Sequence, residues 1–174
     1  DGIVSYNELV KLFNNLESSL VTTNSTLTSM QFADLTTITA NLCNGLSTSC
    51  YLTNVTGSLV NGSSYNATWT GGKASSVSLG NLAAGSSATQ LSELIGKWFL
   101  GTDLPSSSAS IAGSNVSVSY TTTSGSLYDI TGPNINDINQ GRLSDCYFLS
   151  SLAEVADQNA SLISSMITVN GNGT

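Results

Sequence analysis

The chain of 174 residues carries 11 acidic and 4 basic side chains and no histidine, which gives a formal net charge of −7. Only 9% of the residues are charged, so Ser, Thr, Asn and Gly must cover much of the surface. This acidic surface argues against nucleic acid as a partner, because phosphates are bound by basic patches. The longest apolar run is shorter than the roughly 18 residues that cross a bilayer, so we expect no transmembrane segment.

The first residues resemble the second half of an EF-hand calcium loop. Asp1 and Gly2 are followed by Ile3 and, six residues after the glycine, by Glu8. In such a loop the glycine makes a sharp turn, a backbone carbonyl faces the ion and the glutamate clamps Ca²⁺ with both oxygens. The segment predicts a partial Ca²⁺ site of Asp1, Ile3 and Glu8, followed by a helix within residues 1–20. The alternative is an ordinary loop and helix start.

Apolar residues recur at three- and four-residue intervals in three later stretches, which predicts three more helices. The first begins after Thr28 or Ser29, the second spans residues 51–60 and the third spans residues 88–100. We therefore expect residues 21–104 to form a helical accessory domain, which is large enough to bury a small core of its own.

The third of these helices has the clearest signals. Ser87, with Gln90 three residues later, predicts a capping box at its start. Large aromatic side chains at helical spacing usually belong to a core, so we expect this of Trp98 and Phe99 and disfavour a binding surface.

Two segments have the composition of loops. Residues 62–87 are rich in glycine and serine, and the sequence shows no acidic or amide cluster that would make Trp69 a sugar-binding residue. The segment 105–126 begins as a serine-rich run typical of a flexible linker. Val116 and Val118 then alternate with serines, which predicts a short strand before the next domain.

Three cysteines leave an odd count. Cys43 and Cys50 flank a short segment and would pair in an oxidising compartment, which would leave Cys146 as a free thiol. The alternative is that both are reduced and buried on separate helices.

Cys146 lies where a thiol can be activated. The residues after Asp145 have one apolar stripe at helical spacing, so Ser144 or Asp145 is the expected N-cap and Cys146 falls in the first turn. The unpaired N–H groups and the positive end of the helix dipole favour a thiolate there and can hold an oxyanion. Gln140 can donate a second hydrogen bond to that oxyanion. The alternative is a small buried cysteine on a core helix.

The string QGRLSDCYFLSSLAEVA resembles the active-site segment of the calpain-like cysteine proteases of the papain superfamily, whose usual form is Q-G-x-L-G-D-C-W-(F/L)-L. The resemblance implies that Cys146 is the nucleophile and Gln140 the oxyanion-hole donor. Ser144 stands where the family usually has glycine, and Tyr147 where it usually has tryptophan. The family continues with an asparagine-containing turn, a second short helix and a hairpin, and Asn159 and two later Asn-Gly pairs match this order.

This resemblance implies that residues 127–174 are the N-terminal piece of a papain-like catalytic domain. Together with the helices predicted upstream, it leads us to expect a chain that is mainly α with a few short strands, an α+β protein. The catalytic histidine and asparagine are then expected beyond Thr174, in a C-terminal lobe that is the partner of this piece. We expect a protein or peptide substrate, no activity of the fragment alone and a secreted or cell-surface bacterial location. The competing hypothesis is a non-catalytic surface, adhesion or calcium-binding module with a degenerate protease segment.

Overall fold

A computed structural model of the chain describes residues 3–42, 50–111, 113–122, 124–141, 144–167 and 169, with the backbone alone at Cys50 and Ile111. These residues fall into two compact units, Asp1–Tyr120 and Thr121–Gly173. The described part contains five α-helices and two two-stranded antiparallel sheets, a mixed α+β arrangement. The helices are α1 (Tyr6–Thr23), α2 (Ser29–Asn41), α3 (Cys50–Val60), α4 (Ala88–Ile95) and α5 (Cys146–Met166), and the strands are β1 (Thr68–Trp69), β2 (Val77–Ser78), β3 (Ser108–Ile111) and β4 (Ser114–Ser117). No helix in these ranges is long and apolar enough to cross a bilayer.

The first two helices begin with reciprocal side-chain caps. Ser5 caps α1, and its backbone N–H and hydroxyl each donate to Glu8 Oε2 at 2.8 Å. Thr28 and Gln31 make the same capping box at the start of α2. Because each cap satisfies N–H groups that have no acceptor within the helix, these local sequence signals set where the helices begin.

Helix α4 keeps only half of its predicted capping box. Ser87 Oγ accepts from the Gln90 backbone N–H at 3.2 Å, as predicted. The Gln90 side chain does not return to the cap, because its Nε2 donates to the carbonyls of Leu79 and Asn81 at 3.0 and 3.2 Å. The Gln90 side chain therefore bonds to residues outside the helix, and not to the backbone of the N-cap Ser87.

The first unit has one apolar core, which lies between the helices. Helix α1 packs on α4, and α2 packs on α3. After α4 the chain makes a π-helical turn that includes Phe99, whose ring centroid lies 5.4 Å from that of Phe13 and 5.6 Å from that of Tyr6. The Tyr6 hydroxyl donates to the Phe99 carbonyl. Phe99 is 1% exposed, which confirms the prediction that it belongs to the core.

A buried asparagine joins the loop region to this core. Asn66 is fully buried, and its Nδ2 donates to the Ser58 carbonyl and to Asn81 Oδ1, both at 2.9 Å. Its Oδ1 accepts from Trp98 Nε1 at 2.7 Å. Since a buried amide is tolerated only when its hydrogen bonds are made, this group fixes how residues 62–87 cover the helices.

Asp103 makes a second polar connection. Its Oδ1 accepts from the backbone N–H groups of Thr70 and Gly71 at 2.7 and 2.8 Å, and its Oδ2 pairs with Lys97. Partial burial raises the pKa of the Asp103 carboxyl, but the hydrogen bonds from Lys97, Gly71 and Thr70 together hold that pKa below its ordinary value. The fold thus brings an acidic group beside Trp69 that the sequence around the tryptophan did not reveal.

The serine-rich segment, expected as a linker, forms a hairpin. Strand β3 pairs antiparallel with β4, with Ala109 opposite Val116 and Ser108 opposite Ser117. Ser107 extends the hairpin, because its carbonyl accepts from the Val118 N–H at 2.7 Å, and its own N–H donates to the Lys73 carbonyl at 3.1 Å. A serine-rich segment can pair as a strand because the pairing is made by backbone hydrogen bonds between alternate residues of the two strands.

The second unit is built on α5. A 3₁₀ turn at Ile135–Asp137 packs on this helix, and Asp137 Oδ2 accepts from the Asn134 backbone N–H at 2.9 Å to close the start of the turn. The buried apolar side chains of the described part of this unit are Pro133, Ala156 and Ile163.

Candidate functional site

Cys146 is the first residue of α5, as the sequence predicts, and its side chain is an exposed free thiol. Asp145 is the N-cap, and its carbonyl accepts from the N–H groups of Phe148 and Leu149 at 2.9 and 3.0 Å. The N–H groups at the very start of a helix have no acceptor within it, so those of Cys146 and Tyr147 lie at the positive end of the helix dipole. The alternative of a small buried core cysteine is wrong, because this thiol is exposed.

Gln140 lies next to the cap of α5. Its Nε2 donates to Asp145 Oδ1 at 2.8 Å, across five residues. This bond brings the predicted oxyanion-hole amide to the residue immediately before Cys146. It also gives Asp145 a role that the sequence analysis missed, since the Asp145 side chain makes no capping hydrogen bond and instead holds Gln140.

The two departures from the family pattern cause no strain here. Asn24 is the only non-glycine residue with a positive φ in the described ranges, so Ser144 does not occupy a backbone conformation that favours glycine. Tyr147 is 76% exposed. Its hydroxyl can therefore bond to water, whereas the hydroxyl of a buried tyrosine would need a hydrogen-bond partner within the protein.

The helix that carries Cys146 breaks at the asparagine where the family resemblance implies a turn. Asn159 has φ −156° and ψ 70°, outside the helical range, and the Ser161 hydroxyl donates to Asn159 Oδ1 at 2.6 Å. The chain resumes helical geometry up to Met166. The Asn-Gly pairs predicted as a hairpin turn, residues 170–173, lie outside the described residues.

The thiol has no imidazole base within this chain, since the 174 residues contain no histidine. A cysteine nucleophile is activated by an adjacent base or by a lowered pKa, and the base of a Cys–His pair would have to be supplied from outside these residues. What the chain itself provides is an exposed thiol, a helix N-terminus and a nearby amide.

Of the three predicted calcium ligands, Glu8 has a structural role in the described part of the chain. Glu8 completes the capping box of α1, and the hydrogen bonds from the Ser5 backbone and hydroxyl lower the pKa of the Glu8 carboxyl. Ile3 is exposed, and Asp1 lies outside the described residues. Ca²⁺ takes about six to eight oxygen ligands, so Ile3 and Glu8 alone do not form a site. Within the described ranges no three His, Cys, Asp or Glu side chains come together as a metal site.

The predicted Cys43–Cys50 pairing lies outside the described residues, because neither side chain is among them. Comparison of the chain with protein-family models, with curated proteins and with solved structures finds no match.

Proposed function

We propose that this chain is the cysteine-bearing part of a calpain-like cysteine endopeptidase that acts on protein or peptide substrates. One observation carries the proposal: an exposed thiol at the first position of α5, preceded by a glutamine whose amide is hydrogen-bonded to the N-cap. A structural cysteine needs neither exposure nor this amide. A nucleophile that forms an oxyanion at a helix N-terminus needs both.

The proposed chemistry is acyl transfer through Cys146. An imidazole base from a second lobe accepts the thiol proton, and the sulfur attacks the peptide carbonyl to form a C–S bond. The Cys146 backbone N–H and the Gln140 amide stabilise the oxyanion. The C–N bond then breaks as the imidazolium returns the proton to the leaving amine, and water hydrolyses the thioester to free the acid and restore the thiol.

The active form in this proposal includes the second lobe, and the protein acts outside the cell or at the surface of a bacterium. The acidic, weakly charged composition supports that location, because it matches secreted proteins better than nucleic-acid-binding ones. Calcium is not needed for the chemistry. Whether the first residues contribute to a Ca²⁺ site is a separate prediction, tested by Ca²⁺ titration of Glu8→Gln.

The test is a peptidase assay on the protein with its second lobe. We expect Cys146→Ala to lower kcat/KM by about a thousandfold or more, and Gln140→Ala by about a hundredfold, as for loss of an oxyanion donor. Gln158→Ala is the matched control, because Gln158 is an exposed glutamine on α5, the helix that carries Cys146. It should leave kcat/KM unchanged.

Two results would overturn the proposal. One is full activity of Cys146→Ala, which would favour the non-catalytic surface or adhesion module. The other is Cys146-dependent hydrolysis by residues 1–174 alone, because these residues contain no histidine. Alkylation of Cys146 by iodoacetamide in the two-lobed protein, followed by mass spectrometry, gives an independent measure of the reactivity of the thiol. A nucleophilic thiolate should react faster than a model cysteine at neutral pH.

A further inference from the structure

The second unit contains an open groove of about 700 Å³, a volume in the range of known binding pockets. The groove is lined entirely by residues of this unit, and Cys146 is not among them. Its apolar wall comes from the segment before the 3₁₀ turn and from both halves of α5. The apolar side chains that form it are Leu127, Ile130, Leu152, Ala156, Ile163 and Ile167.

Much of this apolar surface is exposed to solvent. Ile130 is fully exposed, Leu127 is 54% exposed and Ile167 is 44% exposed. Contiguous apolar surface of this kind marks interaction sites in soluble proteins, because its exposure to water is unfavourable. In contrast, the apolar side chains of α1 and α4 that face the core are almost fully buried.

A buried hydroxyl at the groove is without a partner. Tyr128 lines the groove, and its hydroxyl oxygen is inaccessible to solvent yet forms no hydrogen bond within the described part of the chain. A buried polar atom in this state destabilises the protein that carries it. This hydroxyl is a cost in the wall of the groove, and an occupant of the groove does not reach it, because a molecule the size of water does not.

The charged side chains among the described residues that line the groove are both carboxylates. Asp129 and Asp137 line it, and the unit contains five acidic residues against a single arginine. Hydrogen bonds from the Thr131 hydroxyl and backbone N–H lower the pKa of the Asp129 carboxyl, so this group is ionised at neutral pH. The carboxylates repel anionic membranes and nucleic acid, both of which are bound by basic patches. They also disfavour a second copy of this acidic chain.

We propose that the groove binds a segment of a partner protein whose apolar side chains are flanked by lysine or arginine. The apolar side chains fill the space against α5, and the cations lie beside Asp129 and Asp137. The arrangement corresponds to an amphipathic segment in a groove, in which apolar anchors provide the contact area and charges select the partner. This site goes beyond the proposed peptidase chemistry and does not depend on it.

The probe for the test is a fluorescein-labelled amphipathic peptide of leucine and lysine, with a matched peptide of leucine and glutamate. Fluorescence anisotropy with the 174-residue chain should show at least tenfold tighter binding of the lysine peptide. The double variant Asp129→Asn/Asp137→Asn should weaken that binding about fivefold, since each exposed charge pair contributes modestly. Asparagine keeps an acceptor oxygen for the local bonds to Thr131 and Asn134, so the loop is retained.

Matched variants distinguish the groove from the overall charge. Asp157→Asn removes an exposed carboxylate of α5 that does not line the groove, so it should leave the affinity unchanged. Tyr128→Phe removes the inaccessible hydroxyl and no charge, so it should also leave the affinity unchanged. Methyl NMR should show shifts at Leu152 and Ile163 on addition of the peptide, and none at Leu91 and Leu94 in the first unit.

Four outcomes of the peptide experiments would overturn the proposal. They are equal affinity for the lysine and glutamate peptides, an equal loss of affinity in Asp157→Asn, methyl shifts confined to the first unit, and undiminished binding by the double variant Asp129→Asn/Asp137→Asn. Vesicles containing phosphatidylserine should not bind. If they bind and displace the peptide, the groove is a membrane-docking surface and the proposed partner is wrong.

Discussion

The two units of this chain differ in how far their apolar side chains are buried. In the first unit, sixteen described residues form a core in which Leu59, Leu91 and Leu94 are fully buried. In the second, Tyr147, Phe148 and Met166 are each more than half exposed. Both units contain amphipathic helices, but in the second unit only part of the apolar face of α5, at Ala156 and Ile163, is covered within the unit. An amphipathic pattern therefore predicts that a helix has a covered face, and not which part of the protein covers it.

The largest expected difference comes from the same substitution made in each unit. Phe99→Ala removes a ring that packs on Tyr6 and Phe13 and should lower the free energy of unfolding by about 3–5 kcal/mol. Phe148→Ala removes a ring that is 54% exposed and should cost less than about 1 kcal/mol. Urea unfolding followed by circular dichroism measures both. Equal losses would show that the two units do not differ in core packing.

A second test concerns close packing within the first unit. A Cβ at Gly96 would meet the Thr102 hydroxyl and lie 2.9 Å from the Trp69 ring, so Gly96→Ala should destabilise the protein by about 1–3 kcal/mol. Gly57 lies within α3, and a Cβ there would meet nothing within 4 Å. Gly57→Ala should stabilise the protein by up to about 1 kcal/mol, because alanine favours a helix interior. Opposite shifts in melting temperature are expected, and shifts of the same sign would contradict the packing described.

The ion pair of the first unit predicts a dependence on pH. The pKa of Asp103 is lowered in the fold, so its stabilising contribution is present above the unfolded pKa of about 3.9 and is lost as pH falls through the folded value. Asp103→Asn should cost about 1 kcal/mol at pH 7 and nothing at a pH below both values. Urea unfolding at several pH values measures this difference. Asp34→Asn, an exposed acid of α2, is the control, and the same pH dependence there would refute the assignment.

The smallest expected effect compares the helix caps of the two units. Ser5→Ala removes a capping box from α1 and should cost about 1 kcal/mol. Asp145→Ala removes a side chain that makes no capping bond in α5, so it should change stability by less than about 0.5 kcal/mol. Thermal unfolding monitors both variants. A larger loss for Asp145→Ala would mean that its bond to Gln140 stabilises the second unit more than a cap stabilises the first.

Much of the candidate site followed from the sequence because its parts are close together along the chain. The N-cap at Asp145, the first-turn position of Cys146 and the break at Asn159 depend on residues within one or two turns of each other. The bond between Gln140 and Asp145 was not predicted, since either side chain could have faced solvent. The groove beside Tyr128 was also missed, because it forms only where the segment before the 3₁₀ turn packs on α5.

The sequence by itself determined the positions of the helices, their caps and their apolar faces. Helical hydrogen bonds and side-chain contacts join residues three or four apart, so their signals are local. Only the tertiary structure decided that Tyr6 meets Phe99, that Asp103 holds Thr70 and Gly71, and that Gln90 leaves its own cap for the carbonyls of Leu79 and Asn81. Each of these contacts depends on which distant polar groups still lack a hydrogen-bond partner when the helices pack. A local sequence pattern cannot predict this, because those groups are far apart along the chain.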